Sequence, residues 1–291
     1  MIRFLSHQRT LPFRRALSLG RPFSFHNAFG LRGGLSFRAK RGTCCLLLVA
    51  SFPACTQTPS TPTERPPVNL PTSKMLTVPS PGKIGSTNSF PATIALSPDG
   101  HYAALLNDGY GTQESMAHQS IAILDLSNNH LADYPDARLS DESYQSYFLG
   151  LVFSSDGKHL YASVGSVTDP TGEKAGNTGN GIAVYTFSQG KVAPERFVPI
   201  APQPLAAGKK VSVGLQKTPE GTAIPYPAGL ALISAGGHDK LLVANNLSDN
   251  VILLDPASGK VLQRFDLSTG DLVPSSFPYT CVATQIGRAH V

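Results

Sequence analysis

The sequence predicts an all-β fold built from repeated strands, and three observations carry that expectation. The first is the stretch 241–267, LLVANNLSDNVILLDPASGKVLQRFDL, where apolar runs alternate with turn-forming clusters. Leu241 to Ala244 and Val251 to Leu254 are the runs, NNLSDN and DPASG are the turns, and Val261, Phe265 and Leu267 continue a third strand. Aliphatic and β-branched runs bounded by Asn, Asp, Gly and Pro describe a meander of strands rather than helices. The second observation is recurrence. Pro98-Asp99-Gly100 precedes HYAALLND and SIAILDLSNNHL, Ser155-Asp156-Gly157 precedes KHLYASVG and GIAVYTFSQGKV, and Gly237-His238-Asp239 precedes KLLVANN and NVILLDPASGKV. The third is that every unit opens on its own apolar strand: ATIALS, FLGLVFS and AGLALIS. A self-similar unit of four strands without a helix is the blade of a β-propeller. Three complete four-stranded blades are expected, and YTCVAT after Pro278 reads as the start of a fourth.

These residues carry a resemblance. SPDG, then LLVANN, a polar turn and VILLDPASGKV are similar to the YVTN-repeat β-propellers, a WD40-like fold whose YncE-like group includes surface-layer and lactonase-like propellers. The resemblance spans roughly residues 90–284. Its motifs are strand and turn grammar, so what it implies is the fold and not a chemistry.

In chain order, the charge separates first. Of the 24 basic and 19 acidic residues, nine basic and no acidic ones lie in 1–54, so the remaining 15 basic and 19 acidic residues carry net charge −4. The basic balance belongs to the leader, and the part expected to fold has no basic patch that would point to nucleic acid. Arg38-Ala39-Lys40-Arg41 followed by CCLLLVASFPA gives residues 38–54 the order of a secretory signal peptide, too short to span a bilayer stably. The junction before Cys55 resembles a bacterial lipobox: Ala54 suits it, Phe52 stands where Leu is usual, and Pro53 is unusual. The expectation is a lipoprotein acylated at Cys55 and held by that anchor in the bacterial cell envelope, periplasmic or attached to the outer membrane. The alternatives are an ordinary signal peptide cut near Ala54 or a single membrane anchor. Residues 1–37, Arg-rich and free of acidic residues, read as a spurious or disordered extension translated upstream of the true start, or else as a transit peptide.

Residues 55–81 are rich in Pro, Thr and Ser and read as a linker, because they lack the apolar surface that would repay ordering. The partial propeller is expected over 82–284, with a first strand possible near 76–78. Residues 285–291 include IGRAHV, which looks like a translated sequencing adapter, so the chain is read as the front of a longer protein. Cys44 and Cys45 leave with the signal and Cys55 is acylated, which leaves Cys281 alone in an apolar strand as a buried structural thiol and gives no disulfide framework.

Function is expected where the chain spends extra length. With the strands of a blade named A to D from the channel outward, the A–B turns (SPDG, SSDG, AGGHD) and C–D turns (SNNH, SQG, PASG) are tight. The B–C and D–A connections 107–119, 134–147, 165–180 and 201–226 are long. In a meander successive connections alternate between two rims, so all the expansion falls on one of them. The residues expected to bind a small ligand or protein partner there are Tyr110, His118, Arg138 and Tyr144, whose aromatic, imidazole and guanidinium groups give the most contact energy. His101, His159 and His238 sit beside the tight turns and are expected to cap or solvate them. No His-x-His, HExxH, Cys-x-x-Cys or GxSxG pattern occurs, and no cofactor or metal site is named by the sequence. Three readings follow: a non-catalytic binding scaffold; the front half of a propeller–phosphoesterase protein, implied by YncE-like relatives with a C-terminal phosphoesterase of the alkaline-phosphatase type; and a lactonase-like hydrolase at the channel mouth.

Overall fold

Tight turns set the frame of the molecule. At the first, Ser97 Oγ donates to Asp99 Oδ1 at 2.5 Å, and the amides of His101 and Tyr102 donate back to Asp99 Oδ1 and Ser97 Oγ at 3.0 Å each. Ser154, Asp156, Lys158 and His159 repeat the same bonds one unit later. Gly100 and Gly157 follow each Asp with φ of 71° and 68°, in the left-handed region that only glycine enters without steric cost. The aspartate closes the turn locally, and the strands leave it antiparallel.

The computed structural model describes residues 68–69, 75–76, 85–88, 90–109, 118–139, 145–212, 218–235 and 237–283. The leader, the Cys55 junction, Tyr110, Tyr144 and the adapter-like end lie outside the described residues. Twelve strands make three sheets. The first blade is β1 (Pro91–Leu96), β2 (Tyr102–Asn107), β3 (Ser120–Asp125) and β4 (His130–Pro135). The second is β5 (Ser146–Phe153), β6 (His159–Gly165), β7 (Gly181–Ser188) and β8 (Lys191–Pro199). The third is β9 (Pro227–Ala235), β10 (His238–Asn245), β11 (Asn250–Leu254) and β12 (Val261–Asp266). Each sheet is four-stranded and ordered as the chain runs. The expected inner spans 92–96, 148–153 and 228–233 fall within β1, β5 and β9. Within the expected linker, Val68–Asn69 pairs antiparallel with Met75–Leu76.

Between blades the inner strand β5 lies against β1 and β9, with β2 beside β5 and β6 beside β9. Gly150 of β5 shows why: a Cβ there would stand 2.8 Å from Ser163 Oγ and closer still to the Ala228 carbonyl, so only glycine admits β9 at this distance. One apolar core fills the seam between the first two blades, with Leu106, Ile121, Phe153, Leu160 and Tyr185 among its members. Another fills the second seam, with Tyr161, Ile182, Leu241, Ile252 and Leu254. Alternation along the strands sends successive side chains to the two faces of each blade, so the middle blade is covered on both. Each fully buried Leu, Ile or Phe contributes about 1.5–3 kcal/mol. Ile94 and Leu96 of β1 lie 66% and 65% exposed, whereas Ala95 between them packs into the first seam.

The stretch expected to open a fourth blade lies along the third without forming a ladder. Gly229 N donates to Tyr279 O at 2.8 Å, and Cys281 packs with Leu242, Ala244, Val251 and Phe265 on the far face of that blade. Burial pushes the Cys281 thiol up to about 11, which keeps it protonated and inert.

Candidate functional site

Pairing fixes which connections share a rim. Pro91 faces Asn107, Asn107 faces Ser120, and Ser120 faces Pro135, so the ends of β2 and β4 and the starts of β1 and β3 lie together. Ser146 opposite Gly165, and Pro227 opposite Asn245, place the same ends of the other two blades. The B–C and D–A connections therefore leave from one end of each sheet and the tight turns from the other. A register irregularity recurs at this end in the inner pair of every blade, between Pro91 and Thr93, Tyr147 and Leu151, and Pro227 and Leu230. Such bulges bend the strand and re-aim its side chains at a rim.

Two buried glutamines tie the connections to one another. Gln119 Nε2 donates to the carbonyl of Gln145 at 2.9 Å, and Gln119 Oε1 accepts from Tyr147 N at 2.7 Å. Gln145 Nε2 donates to the Arg138 carbonyl at 3.1 Å, while its Oε1 accepts from Thr178 N and Oγ1 at 2.8 and 3.1 Å. A B–C loop, a D–A loop and the next B–C loop are thus joined through side-chain amides. Asp249, fully buried, does the same for the third blade by accepting from the amides of Ser275, Ser276 and Phe277 and from Ser275 Oγ.

Beside this lies a phenol–carboxylate chain. Tyr147 and Tyr185 share a 2.5 Å hydrogen bond, Tyr185 Oη donates to Asp136 Oδ2 at 2.6 Å, and Arg138 grips Asp136 through Nε and Nη2 at 2.7–3.0 Å. Burial works against an ionised Asp136, but the bonds from Arg138 and Tyr185 outweigh it and hold the carboxyl below the usual range. The Arg138 guanidinium also lies 5.2 Å from the Tyr185 ring centroid and bonds the Arg196 carbonyl at 3.3 Å. Its Nε, Nη1 and Nη2 all make bonds within the molecule, while 28% of the side chain stays exposed. His118, by contrast, stands exposed at the end of the B–C connection. Tyr110 and Tyr144 lie outside the described residues, so of the four expected binding residues the structure describes His118 and Arg138.

Asp108 is the group that residue types alone did not single out. It follows Asn107 at the end of β2, and Asn245-Asn246 occupies the equivalent place in the third blade. Its Oδ1 is enclosed without a hydrogen-bond partner, and burial pushes the carboxyl up to about 7. Its charge reaches the phenols of Tyr147 and Tyr226. Tyr226 hydrogen-bonds Ser146 and lies edge-on to Phe148 at 5.3 Å, and Phe148 meets Tyr279 at 5.8 Å. Below these rings a cavity of about 290 Å³ runs along the inner strands, lined by Thr93, Leu149, Leu151, Gly229, Tyr279 and Thr280. Among the described residues, six enclosed side-chain atoms lack a partner, and five are at this rim: Asp108 Oδ1, Asn177 Oδ1, Asn180 Nδ2, Asn245 Oδ1 and Asn246 Nδ2. Buried polar groups normally find partners, so each of these atoms is a position that an ordered water or a ligand would fill. Among the described residues no group of three or more His, Cys, Asp or Glu is placed to hold a metal.

No family model and no curated protein matches the chain. Solved structures do. A gluconolactonase from Xanthomonas campestris is 16% identical over 74% of this chain and 57% of its own, with a TM-score of 0.40. The hydrazine synthase of Kuenenia stuttgartiensis is 14% identical over 60% and 49%, with a TM-score of 0.38. The WD40 repeats of RRP9 are 14% identical over 63% and 40%, with a TM-score of 0.36. The chain spans less than two thirds of each of them.

Proposed function

We propose that this chain is the blade-forming part of a YVTN/YncE-like propeller, exported and held at a bacterial envelope through Cys55, that binds a ligand or partner at its long-loop rim. The observation that carries the binding reading is that the long connections leave from one end of the sheets, where Asp108 and the Tyr226–Phe148 pair lie. Polar side chains of these connections beside aromatic rings would give a ligand both orientation and contact area. The linked loops supply the rigidity that such a site needs.

The test uses two sets of substitutions in the complete protein. Asp108→Ala, His118→Ala and Asn246→Ala are expected to release whatever the immobilised protein retains from an envelope extract, with the melting temperature of the His118 variant unchanged. Asp99→Ala and Asp125→Ala, in the tight turns of the first blade, are expected to leave retention intact. The reverse pattern would move the site to the other rim. Anchoring is checked separately: in a bacterial host the mature protein should partition with membranes and carry a diacylglyceryl mass on Cys55, and Cys55→Ala should stay unprocessed.

Asp108 favours one second reading at the same rim, hydrolysis of a lactone. A carboxyl near 7 is poised to take a proton from water at neutral pH. Hydrolysis of a sugar lactone, followed in a pH-stat, should then rise through pH 7 and disappear in Asp108→Asn. A rate independent of Asp108 removes this reading and leaves the scaffold reading standing.

A further inference from the structure

We infer that the tight-turn rim carries a second site, in the groove between the second and third blades, for a primary ammonium group on an alkyl stem. The groove has a volume of about 630 Å³ and lies between the A–B turns of the two blades and the C–D turn of the third. Two bonds clasp the blades across it. Ser155 N donates to Asp239 Oδ2 at 2.8 Å, and Arg196 Nη2 donates to the Pro256 carbonyl at 2.7 Å.

Two acceptors in this groove are left unused. Tyr161 is 6% exposed and lines it, and among the described residues its hydroxyl makes no hydrogen bond. Asp239 Oδ1 is enclosed and has no partner, although Oδ2 of the same carboxylate is bonded. The charges of Asp239, Arg196, Asp156 and Glu195 all reach the Tyr161 phenol, which places that hydroxyl among three carboxylates and one guanidinium. Burial pushes it up to about 12, so it is a neutral phenol with a free oxygen lone pair.

The local balance decides which ligand fits. Asp156 is already committed to its own turn through Ser154 and Lys158, and Asp255 through Ala257 and Ser258. Arg196 is committed to Pro256 and lies 3.6 Å from Glu195. Lys240, His159 and His238 also line the groove, but the Lys240 charge acts on Asp255 and His159 lies 3.3 Å from Glu195, and among the described residues no donor of the chain bonds Asp239 Oδ1 or Tyr161 Oη. An ammonium has three N–H donors on a compact head and no acceptor, which suits two unmet acceptors. Leu262, Pro256 and Ala257 line the same groove and offer an apolar wall to a methylene stem. This inference draws on the rim opposite to the proposed ligand site and stands or falls independently of it.

A lysine side chain of a partner and a free aliphatic amine share this chemistry. Titration of the full chain with N-acetyl-lysine methylamide, 1-aminopentane, 1-pentanol and pentylguanidinium, followed by calorimetry or NMR, separates the cases. Binding of the lysine amide alone identifies a peptide source, and binding of both amines identifies a general amine site. Pentanol and pentylguanidinium are expected to bind at least tenfold more weakly than the amines. Asp239→Asn and Tyr161→Phe should each weaken amine binding at least fivefold, and Asp239→Asn, which keeps an acceptor for Ser155 N, covers the case in which Tyr161→Phe does not fold. Failure of both amines to bind overturns the site, as does equal binding of pentanol or pentylguanidinium, or unchanged amine affinity in the variants.

Discussion

The two rims of this molecule are held together by opposite means. On the tight-turn rim three aspartates are satisfied by their immediate neighbours, Asp99 by Ser97 and His101, Asp125 by Ser127 and Asn128, and Asp255 by Ser258 and Ala257, while Asp239 reaches across to Ser155 of the second blade. Those bonds, with the serine hydroxyl first in each case, hold all three carboxyls below their usual range. On the long-loop rim the partners are far apart in sequence. Gln119 reaches Tyr147, Gln145 reaches Thr178, and Tyr185 reaches Asp136 across 28, 33 and 49 residues. A turn bond forms within one hairpin and breaks within it. A loop-to-loop bond exists only once the connected segments have docked, so its removal is felt by all of them.

That difference predicts the largest effect at Asp249. Its carboxylate is fully buried and accepts from three consecutive backbone amides and a hydroxyl. Asp249→Ala strands those donors, and an unmet buried donor costs about 1–3 kcal/mol. A loss of about 3–4 kcal/mol is expected, measured as a lower urea midpoint with unchanged slope, and Asp249→Asn should recover part of it. A loss below 1 kcal/mol would mean that the long-loop rim is no more cooperative than the turns.

Next in size are the glutamines. Gln119→Ala and Gln145→Ala should each cost about 2 kcal/mol, since each leaves buried backbone groups unpaired. Because Gln119 bonds the backbone of Gln145 and both hold the same loops, the double variant should lose less than the sum of the two. Additivity within 0.3 kcal/mol, a value typical of independent sites, would show that the loops are held separately.

The same contrast explains what could be read from the sequence. SPDG and SSDG are complete instructions, because donor, acceptor and glycine lie within five residues of one another, and the blades they start were legible from period and turn chemistry alone. So was the choice of rim for the inserts, which is a matter of parity. Gln119 and Gln145 were not legible: nothing in a glutamine's neighbours says that it will reach across to another loop. Arg138 shows what residue type leaves out. As a residue type it is a strong binding candidate, but two positions away Asp136 claims its guanidinium inside the seam. Asp108 was visible as one charge among several in its loop, and only its enclosure distinguishes it. The one local clue was its place after Asn107, matched by Asn246 after Asn245.

An effect with a sign belongs to Asp108. Its folded value of about 7 is above the ordinary aspartate value of 3.8, so the folded chain binds this proton more tightly than the unfolded chain. Stability from this group is fully present below pH 3.8 and is lost as pH rises to about 7, beyond which the loss is constant. Asp108→Asn should therefore melt higher than the parent at pH 8, with the two curves converging by pH 4. A parent that gains stability between pH 4 and 8 relative to the variant would place Asp108 in an ion pair instead of an enclosed pocket.

The smallest effect is expected at Asp156, and its smallness is the sharpest test of the contrast. The carboxylate accepts from Ser154 Oγ at 2.7 Å and Lys158 N at 3.0 Å, and pairs with the Lys158 ammonium at 3.6 Å in open solvent. An exposed ion pair of that length is worth little, so the turn depends on the acceptor oxygen and not on the charge. Asn offers the same oxygen in the same place and favours the same turn. Asp156→Asn should therefore shift stability by no more than about 0.5 kcal/mol, a shift that 1 M salt does not alter. Asp156→Ala removes the acceptor and should cost more, but still less than Gln145→Ala, because the serine and amide it frees can turn to water. If Asp156→Asn costs as much as Gln145→Ala, the charge is acting over a distance that a locally closed turn does not need, and the two rims are not held by different means.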